Sequence, residues 1–195
     1  MSSSNEANVL LALGGNIPSK AGQPIDTVNA ALALLPDYGF RVCAISSFYQ
    51  TPAFPSGSGP EYVNAAARVQ TSVSVNDVLE RLHLLEAAFD RARAKRWGQR
   101  TLDIDLLAYD DLVIPSVETQ TAWRLLAPDA QLARTPDALI LPHPRLQDRG
   151  FVLVPLAEIV PDWIHPVLER NARDLRDALP QSTLDEVQVL PRRSE

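Results

Sequence analysis

Apolar positions along the chain follow two periods, and the switches between them mark out the elements. Residues 8–13, Asn-Val-Leu-Leu-Ala-Leu, form a continuous apolar run of strand length, closed by Gly14-Gly15-Asn16, a composition that favours a turn. Over 24–35, Ile25, Val28, Leu32 and Leu35 fall at helical spacing. Residues 40–51 alternate and are rich in strand formers until Pro52 breaks them, and 55–60, Pro-Ser-Gly-Ser-Gly-Pro, reads as a flexible loop. A strand resumes over 62–71. Ser74 with Asp77 resembles a capping box, Asp replacing the usual Glu or Gln, and opens a helix whose Val78, Leu82, Leu85 and Phe89 form one apolar stripe. His83 and Glu86, three apart, share another flank that faces a ligand or solvent, spacing alone favouring solvent. Residues 101–107 read as a further strand.

The resulting order, β-α-β-β-α-β, is that of a ferredoxin-like α+β sandwich. Beyond it, Pro115, Pro128, Pro136, Pro142 and Pro144 predict an irregular excursion over 114–145 with at most one short helix near 123–126. The rest forms an extended C-terminal part: a strand over 151–156, a short helix over 171–179 and a polar tail over 181–195. The whole is predicted to be one domain, with 1–7 a disordered tail and 114–140 a long Pro-rich insertion.

The strand over 101–107 carries the candidate chemistry. Side chains alternate faces, so Asp103 and Asp105 point the same way, about 6.6 Å apart along the backbone, while Leu102, Ile104 and Leu106 take the other face. Carboxylates in a buried setting need partners, and a hard cation would satisfy them. Just before them, Arg91, Arg93, Lys95, Arg96 and Arg100 place five fixed positive charges within ten residues. Cations beside paired carboxylates point to a metal-bound polyphosphate.

Composition narrows the partners. A formal net charge of −6 over 195 residues argues against a nucleic-acid or anionic-membrane surface, so the basic cluster is local and suits a small anion. Residues 1–7 lack an apolar or basic leader, and no apolar run reaches about 18 residues, which predicts a cytoplasmic protein. The single Cys43, in the run Val-Cys-Ala-Ile, reads as a small buried thiol. No Gly-x-x-x-x-Gly-Lys-Ser/Thr loop is present to cradle phosphates.

Four segments, in this order, resemble the 6-hydroxymethyl-7,8-dihydropterin pyrophosphokinase family: Ser46-Ser-Phe-Tyr-Gln-Thr-Pro52, Tyr62-Val-Asn-Ala65, Arg96-Trp-Gly-Gln-Arg-Thr-Leu-Asp-Ile-Asp-Leu-Leu107, and Leu141-Pro-His143 with Arg149-Gly-Phe151. The resemblance implies transfer of pyrophosphate from ATP to the pterin alcohol, releasing AMP, by a monomer. It implies that Asp103 and Asp105 hold two magnesium ions, with Arg91 and Arg100 at the phosphates during transfer. Arg93 and Arg96 would assist loop closure and nucleotide binding, and Glu86, Leu106, His143 and Arg149 would lie on the nucleotide side. Tyr62 and Phe151 would hold the pterin rings, Asn64 and the Thr51-Pro52-Ala53-Phe54 backbone its edges. Trp97 would close over both substrates.

The chain departs from the family pattern at His83, where a neutral amide is common, in the spacing of the basic loop between Arg93 and Arg96, and in extra residues between Ile114 and Leu141. A noncatalytic nucleotide or pterin sensor with the same pocket is the alternative; the intact Asp pair and Arg set disfavour it.

Overall fold

The computed structural model describes residues 6–53, 57, 59–89, 100–127, 130 and 133–191. Strand β1 (Ala7–Gly15) lies between two partners in an antiparallel sheet. One edge pairs with β4 (Tyr62–Thr71), from Ala7 opposite Thr71 to Gly15 opposite Val63, and the other with β5 (Asp103–Tyr109), ending at Gly14 opposite Asp103. Strands β2 (Arg41–Ile45) and β3 (Tyr49–Thr51) both pair antiparallel with β4.

A sheet covered on both faces needs apolar side chains on both, and the unbroken run in β1 supplies them. Val9, Leu11 and Leu13 face α1 (Pro24–Leu34) and α2 (Val75–Ala87), joining Val28, Leu32, Val78, Leu82 and Leu85 in one core. Leu10 and Ala12 face the opposite way, into a second core built on α4 (Gly150–Ile159) and α5 (Ala172–Asp177). The stripe predicted for α2 is buried as expected, Phe89 included. Ser74 is its N-cap residue, but the hydroxyl bonds the Asp77 carboxylate at 2.6 Å instead of a backbone N–H.

Several expectations are corrected. The segment 151–156 is helix, not strand: its run of apolar residues shows no alternation, so periodicity cannot separate a buried strand from a buried helix. Val152, Leu153, Leu156 and Ala157 recur at helical spacing against the sheet, and Pro155, which cannot donate to a central ladder, was the signal against a strand. The segment 40–51 is two strands. Between them Ser46 satisfies β4 from its side chain, its hydroxyl accepting from Ala66 N at 2.9 Å. Cys43 is half-buried, because β2 lies on the sheet's margin with β4 as its strand partner. The excursion's helix α3 (Val117–Arg124) begins earlier than predicted, N-capped by Ser116, whose hydroxyl accepts from Thr119 N. Within 181–191, a short helix α6 (Gln181–Asp185) leads to β6 (Gln188–Val189), which pairs with β3 and so covers its open edge. Ala7 opens β1 and pairs with Thr71, so ordered structure begins inside the predicted N-terminal tail. No helix among the described residues is long and apolar enough to cross a membrane.

Next to α5, His165 is 0% exposed; its Nδ1 accepts from Val167 N and Leu168 N at 3.2 Å each, which places the proton of the neutral ring on Nε2. Burial, and then the charge of Arg124, push its pKa down to about 4. The unfolded chain therefore binds a proton between pH 6.5 and about 4 that the native ring refuses, and stability falls as pH drops through that window. His165 is expected to account for roughly 2 kcal/mol of the stability lost between pH 7 and pH 5, read as the difference in urea unfolding between the unaltered protein and His165→Gln, because a second imidazole, His143, is pushed down in the same window. An equal loss in the two proteins would show that His165 is not held neutral.

Candidate active site

The pairing registers decide what stands beside what. Gly14 lies opposite Asn64 on β4 and opposite Asp103 on β5, so Asn64, Gly14 and Asp103 form one row across three strands. The next row is Ala66, Ala12 and Asp105. Alternation puts both rows on the α4 face, since Ala12 and Ala66 belong to that core. Without a side chain, Gly14 leaves space between the amide and the carboxylate: a Cβ there would lie 2.8 Å from Asn64 Oδ1.

Each carboxylate has a guanidinium. Arg100 pairs with Asp103, and Arg149 Nη1 lies 3.3 Å from Asp105 Oδ2. The carboxylates remain 28% and 32% exposed, open to a ligand. Burial lowers the affinity of Arg100 for its proton, but the charge and hydrogen bond of Asp103, with Asp105 and Tyr62 adding, outweigh it and raise the pKa. The Tyr62 phenol is also pushed up, by burial first; Arg100 opposes the shift and Asp103 adds to it. Tyr62, Arg100 and Asp103 thus share one electrostatic environment.

Arg149 reaches both halves of the site. It is the N-cap residue of α4, and its guanidinium also lies 5.5 Å from the centroid of the Phe151 ring. The loop before it is tethered to β5 by the His143 N–H, which donates to Leu107 O at 2.8 Å. His143 Nδ1 accepts from Arg145 N at 3.1 Å, so the proton of the neutral ring sits on Nε2. Burial, with Arg149 and Arg145 beside it, pushes its pKa to about 3. His143 is therefore a neutral N–H donor throughout the physiological range. The Pro-rich stretch braces this loop: Ile114 and Leu141 exchange both backbone hydrogen bonds, and Gln120 Nε2 donates to Pro142 O at 3.2 Å.

On the other flank, Asn64 Nδ2 donates to Thr51 Oγ1 at 2.8 Å. Strand β3, which carries Thr51, is anchored to the last turn of α4: Glu158 accepts from Ser47 N and Ser47 Oγ at 2.9 Å and from the Tyr49 hydroxyl at 2.8 Å. Burial and Glu158 raise the Tyr49 phenol to about 12, keeping it a donor.

The structure thus brings together Thr51, Tyr62, Asn64, Arg100, Asp103, Asp105, His143, Arg149 and Phe151. Ala53 is buried nearby in sequence and Pro52 is exposed. Glu86 and Leu106, assigned by resemblance to the nucleotide side, are both buried. Glu86 is 1% exposed and accepts from Ile104 N at 2.7 Å, anchoring β5 to α2, while Leu106 lies in the core beneath that strand. His83, three residues from Glu86, is exposed, so the two do not share a flank. Phe54, Arg91, Arg93, Arg96 and Trp97 lie outside the described residues.

Two contributors were not singled out from the sequence. Gly15 accommodates the main chain of residues 100–101: a Cβ on it would lie 2.3 Å from Thr101 O. Asn16 is 3% exposed and exchanges hydrogen bonds with Arg100, accepting from its N–H through Oδ1 at 2.8 Å and donating its own N–H to the Arg100 carbonyl at 2.9 Å. The only signal was Gly14-Gly15-Asn16 directly after a strand, which reads equally well as a plain turn.

Two carboxylates with no third acidic or imidazole donor grouped with them make an incomplete cage; among the described residues no cluster of three or more His, Cys, Asp or Glu could hold a metal. That donor set fits magnesium, which is bound through one or two carboxylates and completes its shell with substrate phosphates and water.

Residues 10–161 match the family model for 7,8-dihydro-6-hydroxymethylpterin-pyrophosphokinase (HPPK). The chain is 36% identical over 158 residues to the 2-amino-4-hydroxy-6-hydroxymethyldihydropteridine pyrophosphokinase of Synechocystis sp., covering 80% of this chain and 68% of that one. It is 31% identical over 186 residues to the protein of the same name from Pseudomonas aeruginosa, covering 94% and 96%. Among solved structures, wild-type Plasmodium falciparum HPPK-DHPS with pteroate superposes with a TM-score of 0.63 at 15% identity, over 90% of this chain and 45% of that longer one. At that identity the likeness speaks to the fold alone.

Proposed function

We infer that this chain, which belongs to the 7,8-dihydro-6-hydroxymethylpterin-pyrophosphokinase family, transfers pyrophosphate from ATP to 6-hydroxymethyl-7,8-dihydropterin in folate biosynthesis. The observation that carries this reading is the row of Asn64, Gly14 and Asp103, which sets a polar slot for a heterocycle directly against a carboxylate pair flanked by guanidiniums.

In the reaction the pterin alcohol oxygen bonds to the β-phosphorus, the bond from that phosphorus to the oxygen bridging to the α-phosphate breaks, and AMP leaves with the oxygen. The alcohol proton passes to solvent. Magnesium held by Asp103 and Asp105, two ions in the fullest form of this reading, would neutralise the phosphates and polarise the transferred group. The protein's part is positioning and fixed charge. Arg100 and Arg149, which rest on the carboxylates, are placed to turn to phosphate oxygens, where a guanidinium contacts two at once. His143 donates from Nε2 without adding charge. Tyr62, Asn64, Thr51, the Pro52–Ala53 backbone and Phe151 receive the pterin. Arg91, Arg93, Arg96, Trp97 and Phe54 complete the reading as closing and binding groups. Glu86 and Leu106 act on the nucleotide side through β5, by holding the strand that bears the carboxylates.

The element order and the sheet order β5-β1-β4, with β2 and β3 beyond, support a ferredoxin-like framework elaborated by a Pro-rich insertion over 114–140 and a C-terminal extension. A single-domain, cytoplasmic monomer is part of the same reading.

Mixing the protein with ATP, magnesium and 6-hydroxymethyl-7,8-dihydropterin is expected to release AMP. Formation of ADP, or no turnover, would overturn the reaction; tight binding of both ligands without AMP would identify a sensor.

A further inference from the structure

Asn16 bonds two segments that lead into the site. Its side-chain oxygen and its main-chain N–H grip the Arg100 backbone from both sides, and its Nδ2 donates to Pro60 O at 3.1 Å. Pro60 ends the loop that leads through Glu61 to Tyr62, the first residue of β4. Arg100 enters β5 three residues before Asp103, with which its guanidinium pairs. One buried amide therefore ties the chain entering the ring-binding strand to the chain entering the carboxylate strand. These two chains are 40 residues apart in sequence and belong to opposite flanks of β1, the strand Asn16 follows.

Resting on the pyrophosphokinase reading above, we propose that Asn16 is a positioning residue that sets Arg100 against the phosphates and Tyr62 against the pterin. A turn alone would not need this residue. Gly14 and Gly15 still belong to β1 and the bend starts at Asn16, whose carboxamide is nearly fully buried and uses its acceptor on one segment and a donor on the other. A buried amide that loses one partner leaves the opposite backbone group unsatisfied, so each segment is expected to shift when its bond is removed.

The two functions separate by substitution. Asn16→Ala removes both side-chain bonds. Asn16→Asp retains an oxygen for the Arg100 N–H and removes the donor to Pro60. For folded Asn16→Ala, kcat for AMP release is expected to fall about a hundredfold, the loss that misplacing a reacting group by about 1 Å can cause, with the ATP dissociation constant within about threefold of the unaltered protein. For Asn16→Asp, kcat is expected to recover to within about tenfold of the unaltered protein while pterin binding stays roughly tenfold weaker. Far-ultraviolet circular dichroism and urea unfolding, run on both variants, separate these effects from loss of fold.

An Ala variant that is folded and keeps its kcat overturns the proposal, as does a folded Asp variant no faster than Ala. If the unaltered protein binds pterin but releases no AMP, the pyrophosphokinase reading fails. Pterin affinity measured calorimetrically in both variants then decides the Pro60 tie by itself, and unaltered affinity refutes it.

Discussion

Asp103→Ala and Asp105→Ala are each expected to lower the rate of AMP release by at least about a thousandfold, some 4 kcal/mol of transition-state stabilisation, while leaving the protein folded. The chemical loss is large because the carboxylates stand where charge on the moving group must be balanced, and the described part of the site has no third acid to take over. The structural loss is expected to be smaller than the chemical one because both side chains are partly open to solvent and neither belongs to the apolar core. Each substitution also frees a guanidinium, Arg100 or Arg149, near the phosphates, so ATP affinity should change far less than kcat. Steady-state AMP release, with ATP affinity by calorimetry and thermal unfolding by circular dichroism, tests this. Either variant within tenfold of the unaltered rate would remove that carboxylate from the reaction.

Gly15→Ala is expected to be the most damaging single methyl that can be added near the site. Its Cβ would lie 2.3 Å from Thr101 O, and the obstacle is backbone, which cannot rotate out of the way. Either the end of β1 or the segment entering β5 must move by the better part of an ångström. That segment is held by Asn16 and carries Arg100 toward Asp103. Overpacking of this kind costs about 1–3 kcal/mol, and here it also disturbs the exchanged hydrogen bonds between Asn16 and Arg100. Urea unfolding should therefore show a loss of about 2–4 kcal/mol, and kcat/KM should fall at least tenfold even at temperatures where the variant is folded. By contrast, Gly14→Ala meets the far end of the Asn64 side chain, so it is expected to act on pterin affinity more than on stability. A Gly15→Ala protein as stable and active as the parent would show that the two segments are not packed as described.

The two helices over the first core were legible because each needs one apolar stripe, and Val28, Leu32, Val78, Leu82 and Leu85 fall at a spacing only a helix can use. The strands β1, β4 and β5 were legible as elements for the same local reason. Segment 151–156 was not, because its unbroken apolar run carries none of the alternation that distinguishes a strand, leaving only the weak argument of Pro155. The closing strand β6 was also hidden. Gln188 and Val189 have no strand pattern of their own, and they become a strand only because β3 offers an open edge.

The chemistry divides along the same line. Sequence by itself determined that two carboxylates share a strand face, because alternation is a property of any strand, and motif order identified the family. Only the tertiary structure decided that Asn64 and Asp103 flank a glycine, that Arg149 joins the carboxylates to the Phe151 ring, that Glu86 and Leu106 are buried, and that Asn16 links two distant segments. Those facts depend on which strands become neighbours and in what register, and neither is encoded in the spacing of residues along one strand; both are settled only when separate segments bury their faces against each other.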